Sequence, residues 1–354
     1  MQGTGNGLGT CSRTKNVRSF HDTVSLRARA MLLATRFGVK PLVKAWVSAP
    51  DRTWPLAFVD QAARWIPQPR DIHVRKVALP QCRAEMIRAE RSGTARVILY
   101  LHGGAFLTCG LNTHRPLVSC LSRSCDAAVL NVDYRMLPRH PISSAVSDAL
   151  DAYRWLLDTG YRPRDIVIAG DSAGGYLAFM TALTIARRPL PPPAGVVAIS
   201  PLTDVSPDRA DCTRDKCPMF PPGAAAVLTR YLARAHARIT VDGEPGPLAS
   251  PVDEDLSAMP PVMIHAGAHE LLRGDAELMS NRLQASGVPC ELHIWRGQVH
   301  AFTLAGNATP ESRRAIELIG RFVRNVTKAP SRAPRMPARM RPPHPYFGPV
   351  PAVS

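Results

Sequence analysis

Nucleophilic catalysis by an alcohol needs a hydroxyl, a base to take its proton, an acid to orient that base, and donors for the oxyanion. The stretch Gly170-Asp171-Ser172-Ala173-Gly174 offers the hydroxyl. It follows the apolar run Ile166–Ala169 and precedes a helical pattern, so it reads as a tight strand-to-helix turn that exposes Ser172. Glycines two residues either side leave room for a cramped backbone. The helix that starts there points its first N–H groups, Ala173 among them, at an anion forming beside Ser172.

His300 supplies the base, on a loop after the apolar strand Cys290–Trp295. For the acid, the loop after the strand around Val262–His265 holds Glu270 and, five residues on, Asp275. Glu270 comes soon after the strand end, where its carboxylate can lean toward His300. Asp275 stands at a helix start, where the dipole favours an anion. Both remain open on the residues alone. For the oxyanion, Gly103 and Gly104 follow the buried strand Arg96–Leu101, and their amides can face a cavity with no Cβ in the way. Asp148, Asp171 and Asp204 read as structural, as do His114, His140, His236 and His293.

These residues need a scaffold that brings distant loops to one rim. Between residues 96 and 326 apolar strands alternate with amphipathic helices, which implies an α/β fold with a mainly parallel sheet and helices on both faces. One or two edge strands are expected between Arg70 and Glu90. The rhythm breaks over about 204–250, a Pro- and Asp-rich stretch with a helical segment near Ala224–Ala235, as an inserted cap would. Apolar residues at helical spacing from Val24 to Val47 are interleaved with Arg27, Arg29, Arg36, Lys40 and Lys44, and Pro41 is expected to split them into two helices. The division that results is a disordered segment over 1–23, cap helices over 24–69, a catalytic domain over 70–327 carrying the insertion, and a disordered basic tail over 328–354 with eight prolines.

The net charge of +16 first suggests nucleic acid. Its distribution argues otherwise: the first 50 residues and the last 27 carry twelve of those charges, leaving about four over the 277 between them. The tail has only Tyr346 and Phe347 to stack on bases, so no nucleic-acid partner is expected. Basic ends and a basic amphipathic segment fit an anionic membrane surface, or a lid whose cations face water. No stretch approaches the roughly 18 apolar residues of a membrane span, and Ala30–Ala34, followed by Arg36, is too short for a secretory h-region. None of the eight cysteines forms a C-x-x-C pair, so zinc and dithiol chemistry are not expected and the thiols read as buried in a reducing, cytoplasmic setting.

Taken together, His102-Gly103-Gly104-Ala105-Phe106, Asp133-Tyr134-Arg135 with Pro138, Gly170–Gly175, Glu270 in its post-strand loop and His300-x-Phe302 resemble the hormone-sensitive-lipase branch of the α/β-hydrolase fold. The resemblance spans roughly residues 70–326, and the order Ser…acid…His is the one that fold uses. It implies a capped serine esterase with Ser172 as nucleophile, His300 as base and Glu270 as acid. The oxyanion donors it implies are the amides of Gly103, Gly104 or Ala105, and Ala173. Ala105 replaces a usual third glycine, Glu270 stands where Asp is common, and Arg139 follows Pro138 where an acid is usual. The expected activity is hydrolysis of short- to medium-chain acyl esters through an acyl-enzyme, with no metal or organic cofactor, on a small-molecule or lipid substrate, by a monomer or dimer. A membrane-surface lipase or phospholipase, and a non-catalytic small-molecule binder, are the alternatives.

Overall fold

The computed structural model describes residues 16–66, 69, 71–206, 217–237 and 248–327. The expected basic tail, the first 15 residues and two parts of the expected insertion lie outside the described residues.

One nine-stranded sheet organises the chain. Its strands are β1 (Val17–His21), β2 (Ile72–Ala78), β3 (Arg83–Ala89), β4 (Val97–Leu101), β5 (Ala128–Asp133), β6 (Ile166–Asp171), β7 (Gly195–Ile199), β8 (Val262–Gly267) and β9 (Cys290–Trp295). The order across the sheet is β1-β9-β8-β7-β6-β4-β5-β3-β2, and every pairing is parallel except β2 with β3 and β3 with β5. The central strands are buried on nearly every residue and mostly apolar because both faces are covered. Alternation decides which face each side chain serves. Val97, Leu99 and Leu101 join one core with α5 (Ile142–Asp158), α6 (Ala173–Ala186) and α8 (Arg273–Ala285). Ile98 and Tyr100 join the other with α4 (Leu111–Cys125) and α9 (Pro310–Val326).

The chain runs from β4 through α4 to β5 on one side, then through α5 back past β4 to β6. That reversal opens a crevice at the carboxyl ends of β4 and β6, where open α/β sheets bind their ligands. The loop after β4 and the Ser172 turn after β6 both end in it.

Three expectations change. Val17–His21, placed with a disordered N-terminal segment, forms an edge strand parallel to β9. Its sequence Val-Arg-Ser-Phe-His mixes polar and apolar residues because only one face is covered, which leaves no strand signature to read. Secondly, α1 (Leu26–Ala34) and α2 (Lys40–Ser48) are not split at Pro41. A π turn over Thr35–Val39 joins them, with the Lys40 N–H bonded to the Thr35 carbonyl, and Pro41 sits in the first turn of α2, where its missing N–H is not needed. Finally, the region between Arg70 and Glu90 gives an antiparallel pair rather than only edge strands, since β3 lies inside the sheet.

The helices of the expected cap are α1, α2, α3 (Ala57–Ala62) and α7 (Ala224–Ala237). Its two parts meet through a Lys40 Nζ bond to the Cys217 carbonyl at 2.8 Å and an edge-to-face pair of Trp46 with Tyr231 at 5.5 Å. The six cysteines among the described residues are free thiols.

Candidate active site

Ser172 stands between β6 and α6 with φ +54° and ψ −118°, a conformation that non-glycine residues hold only when their surroundings enforce it. Its own N–H donates to the Ile199 carbonyl at 2.9 Å, and its carbonyl accepts the Leu202 N–H at 3.1 Å. Gly174 lets this turn press on β4: a Cβ there would meet the Leu101 carbonyl oxygen at 1.9 Å. The result is a hydroxyl held at the amino end of a buried helix.

His300 reaches that hydroxyl, with Nε2 2.9 Å from Ser172 Oγ. Its loop is braced from below: the Arg296 N–H donates to the carbonyl of His21, the last residue of β1. On the far side of the imidazole, Nδ1 lies 3.7 Å from Oε2 of Glu270, whose side chain is fully buried. Asp275, the other candidate acid, is spent elsewhere; its Oδ2 accepts the N–H groups of Thr203 at 2.8 Å and Asp204 at 3.0 Å. Of the two, Glu270 is the carboxylate beside His300.

The oxyanion expectation needs one correction. The Gly103 N–H does not face the crevice, because it donates to Asp171 Oδ1 at 3.0 Å. Asp171 sits immediately before Ser172, so its carboxylate draws the glycine loop down onto the turn. The amides of Gly104, Ala105 and Ala173 have no acceptor among the described residues. Gly104 and Ala105 take φ of +120° and +56°, which turns consecutive peptide groups inward. Gly104 is irreplaceable there, since a Cβ would meet the Thr108 carbonyl oxygen at 2.0 Å.

Asp171 is a buried charge with a full set of partners. Tyr100 Oη donates to its Oδ1 at 2.7 Å and His114 Nε2 approaches at 3.1 Å. Burial pushes the Asp171 carboxyl up, but His114 and the hydrogen bonds from His114 and Tyr100 outweigh it and hold the group below the ordinary carboxylate range. Neighbouring His102 is driven down to about 4 by burial and by His114. It stacks on Tyr134 at 4.2 Å, and the Tyr134 hydroxyl donates to its carbonyl at 2.6 Å. This network beneath the glycine loop includes His114, read as structural from the sequence, and Tyr100, which sequence reasoning passed over. Asp148 is structural as expected, bonded to the Arg135 guanidinium at 2.7 Å.

A model of the alpha/beta hydrolase fold matches residues 98–304. This chain belongs to the α/β-hydrolase family. Within the family it is similar to esterase LipU of Mycobacterium tuberculosis, at 43% identity over 82% of this chain and 99% of that one. The carboxylesterase/phospholipase LipF of the same organism is 40% identical over 88% of this chain and 84% of its own length. A crystal structure of an esterase from the bacterial hormone-sensitive lipase family superposes with a TM-score of 0.73 at 27% identity, covering 86% of this chain and all of that one. The α/β-hydrolase described here is accordingly a serine carboxylesterase of the hormone-sensitive-lipase-like branch.

Proposed function

We propose that Ser172, His300 and Glu270 carry the hydrolysis and that the substrates are short- to medium-chain acyl esters. The observation that carries this reading is the 2.9 Å contact of His300 Nε2 with the Ser172 hydroxyl. His300 takes the Ser172 proton as Oγ attacks the ester carbonyl. The amides of Gly104, Ala105 and Ala173 receive the oxyanion, and Glu270 steadies the imidazolium. His300 then protonates the departing alcohol, and water repeats the sequence on the acyl-enzyme.

The acyl length is our reading of the side chains near the crevice. Phe220 packs edge-to-face on His300 at 5.3 Å, an apolar wall that a charged acyl group would not cross. Tyr176, one turn beyond Ser172, lines a cavity of about 340 Å³ whose wall is apolar at Ile142, Val146 and Met180 and polar at Ser143, Arg188 and His236, and which borders Ser172 only through α6. That volume is at the small end for ligand sites, roughly 300–1,000 Å³. Ser172→Ala is expected to abolish hydrolysis of p-nitrophenyl butyrate while leaving thermal unfolding unchanged. Retained turnover would reject the triad, and a rate that climbs steadily to long acyl chains would reject the length assignment.

One observation favours a second reading, action at an anionic lipid surface. Of the fourteen large apolar side chains left exposed among the described residues, nine fall between Leu26 and Ile66, including Phe37, Leu42, Phe58 and Trp65. They are interspersed with Arg27, Arg29, Arg36, Lys44 and Arg64, the mixture that lies in a headgroup layer. No helix among the described residues is long and apolar enough to cross a membrane. Sedimentation with phosphatidylglycerol vesicles, but not with phosphatidylcholine vesicles, is the expected outcome; equal recovery in both supernatants would dismiss this reading.

A further inference from the structure

The acid and the base just described do not touch at hydrogen-bond distance. His300 Nδ1 and Glu270 Oε2 are 3.7 Å apart, and neither Nδ1 nor the second oxygen, Oε1, has a hydrogen-bond partner among the described residues. A third side chain is bonded to both sides of this gap. Ser200 Oγ donates to Glu270 Oε2 at 2.7 Å and accepts the N–H of Ala301, the residue after His300, at 3.1 Å.

The direction of these bonds is forced. An amide can only donate and a carboxylate can only accept, so the Ser200 lone pair faces Ala301 and its proton faces Glu270. Ser200 is itself fixed. It is fully buried, its N–H donates to the His265 carbonyl at 2.6 Å, and its φ is +47°. Ala301 is also left-handed, with φ +51°, which turns its amide inward where it needs an acceptor. Two strained residues on separate loops are thus closed onto one another through a single hydroxyl, with the carboxylate as the third corner.

We infer that Ser200 is a positioning residue for the base. It ties the Glu270 carboxylate to the backbone that carries His300, so the two loops keep their separation while Nδ1–H closes onto the carboxylate as the imidazolium forms. Hydrogen bonds of this kind are often long before substrate arrives and tighten on the way to the transition state. Losing the hydroxyl leaves a buried amide without an acceptor and a buried carboxylate without a donor. The acid then swings free of the loop it must serve. The inference rests on the triad proposed above.

Three substitutions test it, each assayed on p-nitrophenyl butyrate beside Ser172→Ala. Ser200→Ala and Ser200→Gly both remove the hydroxyl, but glycine relaxes the left-handed backbone and so guards against simple misfolding. Both are expected to lower kcat alike, by roughly 10- to 100-fold as for a lost hydrogen bond to a charged group, with KM within about twofold of wild type. Ser200→Cys, which keeps a weak donor, is expected to fall between them and wild type. Wild-type kcat in Ser200→Gly beside an inactive Ser172→Ala overturns this inference and leaves the triad standing. So does a loss in Ser200→Ala that Ser200→Gly repairs, which would assign the effect to the backbone. Turnover in Ser172→Ala removes the triad and this inference with it.

Discussion

Eleven of the fourteen residues of α6, the helix beneath Ser172, are buried, whereas nine-residue α2 and six-residue α3 of the cap bury none. The first is packed into the core on one face of the sheet. The others hold on through a few contacts, such as Lys40 with Cys217 and Trp46 with Tyr231. Regions with few buried apolar contacts open at lower free energy than the core beside them. The molecule therefore sets a stiff rim, which fixes the distances among Ser172, His300 and Glu270, beside loosely attached helices. A mutation should reveal which it has struck by whether it changes folding or only access.

The sharpest test of this contrast is a methyl group added in each place. In Gly174→Ala the new Cβ would sit 1.9 Å from a backbone carbonyl, which has no way to yield. Loss of several kcal/mol and no fluorophosphonate-reactive protein are expected, read by thermal unfolding and probe labelling. A folded, reactive variant would show the rim to be more pliant than described. Acidification comes next. His102 titrates near 4 when folded and near 6.5 when unfolded, so the unfolded chain takes the proton first. The stability it contributes is complete above pH 6.5 and is lost as pH falls toward 4, by about 3 kcal/mol for a fully buried ring. Thermal unfolding scanned over that range should show the fall in wild type, and it should shrink in His102→Gln. In the cap, Gly38 has open space where a Cβ would go. Gly38→Ala should stabilise by no more than about 1 kcal/mol, the gain for alanine over glycine inside a helix. Smallest of all, Phe37→Ser should leave unfolding within about 0.5 kcal/mol of wild type, while lowering recovery on phosphatidylglycerol vesicles.

The same contrast explains what could be read from the chain beforehand. β4 and β7 are unbroken apolar runs and β6 and β8 open on apolar runs because both faces are covered, so their existence and parallel arrangement were legible. Ser172 was legible because glycine spacing and a strand-to-helix switch mark the turn together. The resemblance picks Glu270 over Asp275, but the physical reason, that Asp275 is consumed by the amides of Thr203 and Asp204, is visible only in the fold. Other features left no local trace. Ser200 is one serine after a strand, and its importance lies in two partners 70 and 101 residues away. Gly103 looked free to serve an oxyanion, because nothing nearby in the sequence announces that Asp171 occupies its amide. β1 was hidden by its half-exposed, mixed composition. In each case the missing information was a long-range pairing.

That edge strand has a practical bearing. The matched region begins at residue 98, and a protein engineer trimming to it would discard the strand that runs beside β9. With it would go the His21 carbonyl that accepts from Arg296, and the Ser25 hydroxyl bonded to Glu311 on α9 at 2.9 Å. Val24, packed against Gly297, would be lost as well. The first and last of these brace the segment leading to His300 and the second holds α9, so the shortened chain would keep Ser172 and forfeit the aim of the imidazole.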